Sequence, residues 1–189
     1  IIDAIVDVIA HAEEPFLAAQ GFAKGSMTLI DAARAESLYA EMGPAIESSG
    51  GSAGNTMAGV ASLGGAGAYI GKVRDDQLGQ VFGHDLKSLG VSFDTRSATS
   101  GPATARCLIL VTPDAQRTMN TYLGACTGLG PDDIDTGVVS AAQVTYVEGY
   151  LWDAPEAKKA VLKAFDSAHA AGRLVSITLS DSFCVGRYR

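Results

Sequence analysis

The amino-acid sequence predicts an α/β protein in which helices flank a mostly parallel sheet and a β-hairpin forms an insertion. Residues 143–179 read as a strand, a helix of about five turns and a second strand, which is the pattern of a βαβ unit. Residues 105–112 (ARCLILVT) and 117–123 (RTMNTYL) read as two strands with a four-residue turn between them. A βαβ unit requires parallel strands and a short turn requires antiparallel ones, so the chain combines both kinds of pairing.

The first third of the chain predicts strands and helices around a glycine-rich turn. Residues 1–9 form a buried strand, and the two terminal isoleucines indicate that the front of this strand precedes the sequence. Residues 25–30 form a short strand, after which Asp31 caps a helix that ends near Met42. The glycine-rich turn follows in the stretch SSGGSAGN, and small residues continue it as a helix over 55–63.

Glycine stops and apolar periodicity predict the other elements. The helix before Gly172 has a capping-box-like start at Asp153, with proline in its first turn. These elements are a strand over 67–73, an amphipathic helix over 77–89, a strand over 143–148, a helix over 153–171 and a strand over 174–179.

Composition limits the classes of protein to which the chain can belong. Its 189 residues are 47% hydrophobic and 19% charged, which suits one globular domain with a sizeable core. The net charge of −7 argues against binding to nucleic acid. No apolar run reaches the roughly 18 residues that a membrane span needs, and the N-terminus lacks the pattern of a signal peptide. Three widely spaced cysteines predict reduced thiols and a cytoplasmic location.

The spacing of the glycine-rich turn excludes two kinds of ligand. A phosphate-binding P-loop needs glycine at position 66 and Ser or Thr at position 73, where the sequence has alanine and valine. Gly51 and Gly54 lack the spacing of a dinucleotide fingerprint. The alternative without a ligand is that these glycines only permit a tight turn and close helix packing.

No metal site made by the protein alone is expected. The histidines His11, His84 and His169 are scattered along the chain, and none has a second metal ligand nearby in a recognised pattern. His84 is followed by Asp85, but neighbouring residues in a helix point apart. Surface positions are therefore predicted for all three.

Six stretches form an ordered set that extends along essentially the whole chain. They are AIVD (4–7), GGSAGN with the later Gly64 and IG (50–71), VRDDQLG (73–79), the hairpin with its preceding glycine (101–120), YVEG (146–149) and LSDSF (179–183). This set resembles the pfkB carbohydrate kinase family, the ribokinase and adenosine kinase group.

The resemblance implies a ribokinase-like fold, in which helices flank a Rossmann-like, mostly parallel sheet and a small β lid is added. Residues 1–189 would be the N-terminal part of one such α/β domain, with lid segments near 12–30 and 91–123. The C-terminal part of the fold is expected to be missing, because the family's Gly-Ala-Gly-Asp motif has no counterpart and the sequence contains no Gly-Asp dipeptide.

The resemblance also assigns a sugar to the glycine-rich turn. It implies substrate contacts from the signature, the hairpin and the strand ends, namely Asp7, Gly50, Gly51, Asn55, Cys107, Asn120 and Glu148. Arg117 is a candidate contact to the transferred phosphate. From the residues alone, Asp7 could instead be a solvated strand end and Asn55 a helix N-cap. Cys107 could be a small buried hydrophobe and Arg117 a solvated turn residue. Asp3 stands where many members of the family have asparagine.

The activity that the resemblance implies is the phosphorylation of a sugar or nucleoside hydroxyl by ATP with Mg²⁺. The stretch RTMNTYLGAC is nearest to adenosine kinase-like members, which favours adenosine or a ribose-type substrate. Because the family's catalytic base and ATP contacts lie in the missing part, residues 1–189 alone are expected to be inactive. A homodimer through the lid is a further implication. The alternatives are a non-catalytic sugar- or nucleoside-binding protein and a different α/β enzyme.

Overall fold

The structure is a computed structural model that describes residue 1, residues 3–180 and residues 182–187, with only the backbone of residue 183. Asp181, which belongs to the LSDSF stretch, lies outside the described residues. The strands are β1 (Ile5–His11), β2 (Met27–Leu29), β3 (Ala45–Gly50), β4 (Gly67–Tyr69), β5 (Val91–Phe93), β6 (Ala105–Val111), β7 (Arg117–Tyr122), β8 (Val144–Glu148) and β9 (Leu174–Thr178). The helices are α1 (Glu14–Ala19), α2 (Ala32–Glu41), α3 (Ser52–Ser62), α4 (Gln77–Ser88), α5 (Thr136–Ala141), α6 (Pro155–Ala170) and α7 (Ser182–Arg187).

The strands form one mixed sheet and two parallel pairs. The mixed sheet has the order β2-β7-β6-β1-β3, while β4 pairs with β5 and β8 pairs with β9. Within the mixed sheet, β1 is parallel to β6 and β2 is parallel to β7. The β6–β7 hairpin and the β1–β3 pair are antiparallel. Most of the pairings are therefore parallel, as the sequence predicts, and the β8-α6-β9 segment is the expected βαβ unit.

Two elements at the glycine-rich turn differ from the sequence prediction. The first strand begins at Ile5 and not at Ile1, and it lies between β3 and β6. The stretch SSGG is not wholly a turn, because residues up to Gly50 form the strand β3. Sequence periodicity does not indicate β3, since the stretch AIESSG has only two apolar side chains and no sustained alternation.

The start of helix α6 also differs from its prediction. The N-cap of this helix is Ala154, which makes no side-chain capping bond, so the capping-box expectation at Asp153 was wrong. Asp153 lies instead in a short 3-10 turn over Gly149–Asp153 and pairs with Arg187 of α7. Pro155 at the first helical position fixes a helical φ and needs no amide partner there, so the helix can begin without a cap.

Side-chain alternation gives the mixed sheet a core face and a cavity face. Even-numbered residues of β1 and β6, among them Val8 and Leu108, pack in one apolar cluster with Leu38 of α2 and Phe82 of α4. Burial of each such side chain contributes about 1.5–3 kcal/mol to the stability of the fold. Odd-numbered residues of the same strands, such as Ile109, project to the opposite face, where a second cluster forms. The functional side chains predicted on β1 and β6 lie on this odd-numbered face.

Candidate functional site

A cavity of about 370 Å³ lies against the odd-numbered face of the mixed sheet. Its walls come from β1, β2, β6 and β7, from the N-terminal turn of α3, and from the end of β8 with the turn that follows. One part of the wall is apolar and includes Ile5, Met27, Leu29, Ile109, Met119 and Leu123. The other part is polar, so the cavity can hold a ligand that has both a flat apolar group and hydroxyls.

Strand register places one row of cavity residues side by side across the sheet. Asp7 pairs with Cys107, Cys107 pairs with Thr121, and Thr121 pairs with Leu29. The Thr121 hydroxyl lies 3.3 Å from Cys107 Sγ and donates a hydrogen bond to it. Burial raises the pKa of Cys107 to about 11, while this hydroxyl acts in the opposite direction. The Cys107 thiol therefore stays protonated at neutral pH and serves as a contact surface, not as a nucleophile.

The glycine-rich turn brings the main chain up to the Asp7 carboxyl group. An ideal Cβ built on Gly50 would lie 2.1 Å from Cγ of Asp7, so a side chain at this position would displace the carboxylate. Gly51 has a φ of 75°, a left-handed conformation that favours glycine, and it caps the N-terminus of α3. Asn55 lies one turn into this helix, so the N-cap alternative for Asn55 was wrong.

The pKa of Asp7 results from opposing effects. Burial raises the pKa of this carboxyl above its usual value of 3.8. The backbone N–H of Gly51 and the positive charge of Arg117 act in the opposite direction, because both favour the ionised form. The Asp7 carboxylate is thus only partly solvated and is placed to accept hydrogen bonds from a ligand in the cavity.

Two further carboxyl groups line the cavity from deeper positions. Asp3 and Glu148 are only 5% and 2% exposed. Burial raises the pKa of Asp3 to about 7, the Cys126 thiol lowers it by a hydrogen bond, and the charge of Glu148 raises it further. The Tyr146 hydroxyl donates to Glu148 Oε1 over 3.1 Å, and the Tyr69 hydroxyl donates to the main-chain oxygen of Asp3 over 2.8 Å.

Most of the residues that the sequence nominates come together at this cavity. They are Asp7, Gly51, Asn55, Cys107, Arg117 and Glu148, which all line it. Gly50 does not line the cavity but lies against the Asp7 side chain. The sequence prediction did not nominate Thr121 or Asp3, although Asp3 and Asp7 are four positions apart and so share one face of an extended segment.

Asn120 is a nominated residue whose side chain lies on the face of the sheet away from the cavity. Its side chain is fully buried on the even-numbered face, where Nδ2 donates to the Leu108 carbonyl over 3.3 Å. Arg117 and Asn120 are three positions apart on one strand, so their side chains must point to opposite faces. The joint nomination of both residues ignored this alternation.

The described part of the chain offers no protein-only metal centre and no membrane span. Within residues 1, 3–180 and 182–187, no group of three or more His, Cys, Asp or Glu side chains could hold a metal ion. In the same ranges, no helix has both the length and the apolar character needed to cross a bilayer.

Comparison with known proteins relates the chain to sugar and nucleoside kinases. The model of the pfkB family carbohydrate kinases matches residues 26–184. The chain is 29% identical over 133 residues to the probable fructokinase-4 of Arabidopsis thaliana, a match that covers 69% of the chain and 41% of that protein.

Two crystal structures are much more similar. Adenosine kinase from Sinorhizobium meliloti is 59% identical, with a TM-score of 0.90, over 98% of this chain and 57% of that one. A probable sugar kinase from Rhizobium etli CFN 42 is 56% identical, also with a TM-score of 0.90, over 98% of this chain and 56% of that one. The chain thus spans little more than half the length of these structures, and the family match extends over most of its residues. By this match the chain belongs to the pfkB family of carbohydrate kinases.

Proposed function

We propose that the protein containing this chain transfers a phosphoryl group from ATP to a hydroxyl of a sugar or nucleoside, with adenosine or a ribose-type compound as the preferred substrate. One observation carries the proposal. The Asp7 carboxylate, the Gly51 turn, the Asn55 side chain and the Arg117 guanidinium, from separate elements, line a single cavity.

The polar part of the cavity suits vicinal hydroxyls. An ionised carboxylate such as that of Asp7 accepts hydrogen bonds from two neighbouring hydroxyls, and the Asn55 amide can both donate and accept. Gly51 carries no side chain between the main chain and the ligand, and the missing side chain of Gly50 leaves room for the Asp7 carboxylate. Because several donors and acceptors converge from fixed elements, a sugar ring would be held in one orientation, which is the first requirement for transfer to one hydroxyl.

The apolar part of the cavity favours a nucleoside over a free sugar. Leu29, Ile109 and Met119 offer a surface on which a flat base could pack, whereas a free hexose would leave this surface uncovered. The relative described as an adenosine kinase is 59% identical to this chain, and the relative described as a fructokinase is 29% identical. Because of the 29% identity to the fructokinase, fructose is the second candidate substrate.

Arg117 is the candidate contact for the transferred phosphoryl group. It is an exposed residue at the start of β7, it lines the cavity, and its charge already acts on the Asp7 carboxyl group. A guanidinium placed there could stabilise the negative charge that develops on a transferred phosphoryl group. The described residues do not provide a dedicated cage for Mg²⁺. Mg²⁺ is commonly bound by one or two carboxylates together with substrate phosphates, so we propose that it arrives with ATP.

We further propose that segments near residues 12–30 and 91–123 act as a lid and that residues 1–189 alone do not catalyse transfer. Strands β2, β6 and β7 in these segments line the cavity, which supports contact with the substrate. The hairpin β6–β7 does not project from the sheet as the insertion prediction requires, because β6 pairs in parallel with β1 in the middle of the mixed sheet. The lack of a Gly-Asp dipeptide supports the inactivity of the segment alone. The three free cysteines support a reducing, cytoplasmic location.

The test is an assay of ADP formation by the full-length protein with adenosine, D-ribose and D-fructose in the presence of ATP and Mg²⁺. We expect turnover with at least one compound and the highest kcat/KM with adenosine. Residues 1–189, shown to be folded by circular dichroism, should give none. Binding of these compounds without any ADP formation would support the non-catalytic alternative, and neither binding nor turnover would contradict the assignment of the cavity.

A further inference from the structure

Asp76, in the VRDDQLG stretch (73–79), connects two segments that are distant along the chain. None of residues 73–79 lines the cavity. The Asp76 carboxylate is the N-cap of α4 and accepts a hydrogen bond from the Gly79 amide over 2.9 Å. It also accepts two hydrogen bonds from Thr104, one from the amide over 2.9 Å and one from the hydroxyl over 2.6 Å. Three donors therefore converge on one carboxylate, whose two oxygens can accept them all.

The contact between α4 and Thr104 is close and buried. Thr104 is 0% exposed, and its hydroxyl oxygen also accepts a hydrogen bond from the Arg74 amide over 3.0 Å. An ideal Cβ on Gly79 would lie 2.0 Å from the Arg74 carbonyl oxygen and 3.1 Å from Thr104 Oγ1. The aspartate and the glycine of the stretch thus both serve this contact, one by its hydrogen bonds and the other by its missing side chain.

Helix capping explains only part of what Asp76 does. Asp31 caps α2 and Asp135 caps α5, and each accepts hydrogen bonds from amides of the helix that it starts. Asp76 makes a cap bond of the same kind within α4, but its two bonds to Thr104 reach a different element. These two bonds are not needed to begin a helix.

The segment that Asp76 holds leads directly into a wall of the cavity. Thr104 is followed at once by β6, and Cys107 of this strand lines the cavity. Helix α4 packs on the opposite face of the same sheet, where Phe82 lies in one apolar cluster with Leu108. The bonds of Asp76 therefore fix the base of β6 against a helix that does not itself line the cavity.

A second carboxylate of α4 holds the strand on the other side of β1. Asp85 accepts a hydrogen bond from the Ser49 amide over 2.7 Å. Ser49 lies in β3, one residue before Gly50, whose missing side chain leaves room for the Asp7 carboxylate. Strands β6 and β3 are the two neighbours of β1 in the sheet. Helix α4 is thus bonded next to both strands that flank the strand carrying Asp7.

We propose that Asp76 is a positioning residue of the candidate site, which holds the base of β6 through Thr104 and so keeps Cys107 aligned with Asp7 for contact with the substrate. Asp76 itself does not touch the substrate. The proposal rests on the sugar- or nucleoside-binding function proposed above. Without the Thr104 contact, β6 stays paired in the sheet but can shift relative to the other wall of the cavity, and shifts of about 1 Å are enough to weaken a site.

The test measures the adenosine affinity of the full-length protein by isothermal titration calorimetry, together with its thermal midpoint. Thr104→Val removes the hydroxyl and leaves the cap of α4, whereas Asp76→Ala removes all three bonds. We expect both variants to bind more weakly, Asp76→Ala by about tenfold. Thr104→Ser keeps the hydroxyl and should retain the original affinity. Asp135→Ala removes the cap of α5 and is the matched control, which should lower the midpoint without changing the affinity.

Two outcomes of these titrations would overturn the proposal. One is an unchanged affinity in folded Thr104→Val and Asp76→Ala. The other is an equal loss of affinity in Asp135→Ala, because a general loss of stability would then explain the effect. The double variant of Asp76→Ala and Thr104→Val should lose no more affinity than Asp76→Ala alone, since both substitutions break one contact, and fully additive losses would also count against the role.

Alkylation of Cys107 separates this inference from the proposed function, because it requires no substrate. The Cys107 side chain is buried in the strand that Asp76 holds. Its labelling by N-ethylmaleimide, followed by peptide mass spectrometry, should be about tenfold faster in Thr104→Val and Asp76→Ala than in Asp135→Ala. If the unaltered protein bound neither adenosine, D-ribose nor D-fructose, the proposed function would be contradicted, and the labelling rates would still decide the role of Asp76. Equal rates in the three variants would overturn it.

Discussion

An ideal Cβ on Gly50 would lie 2.1 Å from Cγ of Asp7 and 2.4 Å from each of its carboxylate oxygens. The two residues lie on neighbouring antiparallel strands, where Ile5 is the direct partner of Gly50 and Asp7 is its diagonal neighbour on the same face. The space for the Asp7 carboxylate is therefore created by the missing side chain of Gly50.

Gly50→Ala should displace the Asp7 carboxylate and weaken substrate binding. The clash involves the branching carbon of a short side chain, so the aspartate must change rotamer or the strands must separate. We expect an affinity loss of about tenfold or more, because a charge-assisted contact is lost. Titration with adenosine measures the effect. Gly54→Ala in α3, where an added Cβ meets nothing within 4 Å, is the control and should bind normally. Equal affinities of the two variants would contradict the assigned role of Gly50.

Asp7→Ala should weaken binding without destabilising the protein. Loss of a charge-assisted hydrogen bond costs about 1.5–3 kcal/mol, which corresponds to about 10–150-fold in affinity. Burial raises the pKa of Asp7, so its carboxylate is held at some cost to the fold. The thermal midpoint should stay the same or rise. A variant with unchanged affinity for the substrate would show that Asp7 is not a contact.

The contribution of Asp3 to the stability of the protein should fall as the pH rises from about 4 to about 7. Burial raises the pKa of Asp3 from 3.8 to about 7, so the folded state keeps a proton that the unfolded state releases over this interval. The contribution of Asp3 to the free energy of unfolding therefore decreases by at most about 4 kcal/mol in this window and is level above it. Asp3→Asn should flatten this part of the profile, since asparagine does not titrate.

Thermal melting of the full-length protein and of Asp3→Asn at pH 5 and pH 8 measures the difference. Asn retains a carbonyl oxygen that can accept the Cys126 hydrogen bond, so the substitution changes the charge with little change in shape. The difference between the two midpoints should be smaller for the variant. Parallel profiles for the two proteins would mean that Asp3 titrates near its ordinary value.

Asn120→Ala should reduce stability and leave substrate affinity intact, the opposite of the pattern for Asp7. The Asn120 side chain is buried on the core face and donates to the Leu108 carbonyl. Its removal costs about 1 kcal/mol for the hydrogen bond, with a further loss from the small void. The paired measurement is the thermal midpoint and the adenosine affinity. A selective loss of affinity would place Asn120 back in the binding site.

The resemblance implies a homodimer through the lid, and the open β3 edge of the mixed sheet, outside the lid segments, offers a different apolar surface for such a contact. Ile46 of β3 is 72% exposed and pairs with Ile9 of β1, which is 37% exposed. Apolar side chains at an open strand edge favour contact with a second copy. We expect sedimentation velocity to show a dimer that Ile46→Lys converts to a monomer, whereas Ser37→Lys on α2 should not change it. A monomer at every concentration tested would contradict the proposal.

Periodicity predicts the parts of this fold that bury apolar side chains. The helix α4 follows from its sequence within one or two residues because one of its faces is apolar. The β6–β7 hairpin does so because the apolar run of β6 is followed by a short polar turn and a second strand-like stretch. Strand β3 does not, because its alternation is masked by serine, glutamate and glycine. The alternation of side chains along β7 could also have been predicted from the sequence. It places Asn120 and Arg117 on opposite faces and would have removed Asn120 from the candidate site.

The candidate site is predicted only in part, since its residues come from separate elements. The resemblance nominates Asp7, Gly51 and Asn55, which line one cavity in the structure, and their bonds to a ligand stay a prediction. No local pattern brings Asp3 next to Glu148, because their proximity depends on the packing of distant segments.

Asp7, Cys107 and Thr121 form a row across three strands, so the candidate site forms only when these strands pair in the correct register. A slip of β1 by one residue against β6 would turn Asp7 into the apolar cluster and bring Val6 and Val8 to the cavity face. The same error would thus bury a carboxylate among leucines and expose two valines to water. Chains with this misalignment would therefore be too unstable to persist as inactive but folded protein. The packing of the core on one face of the sheet thus ensures the correct strand register for the cavity on the other face.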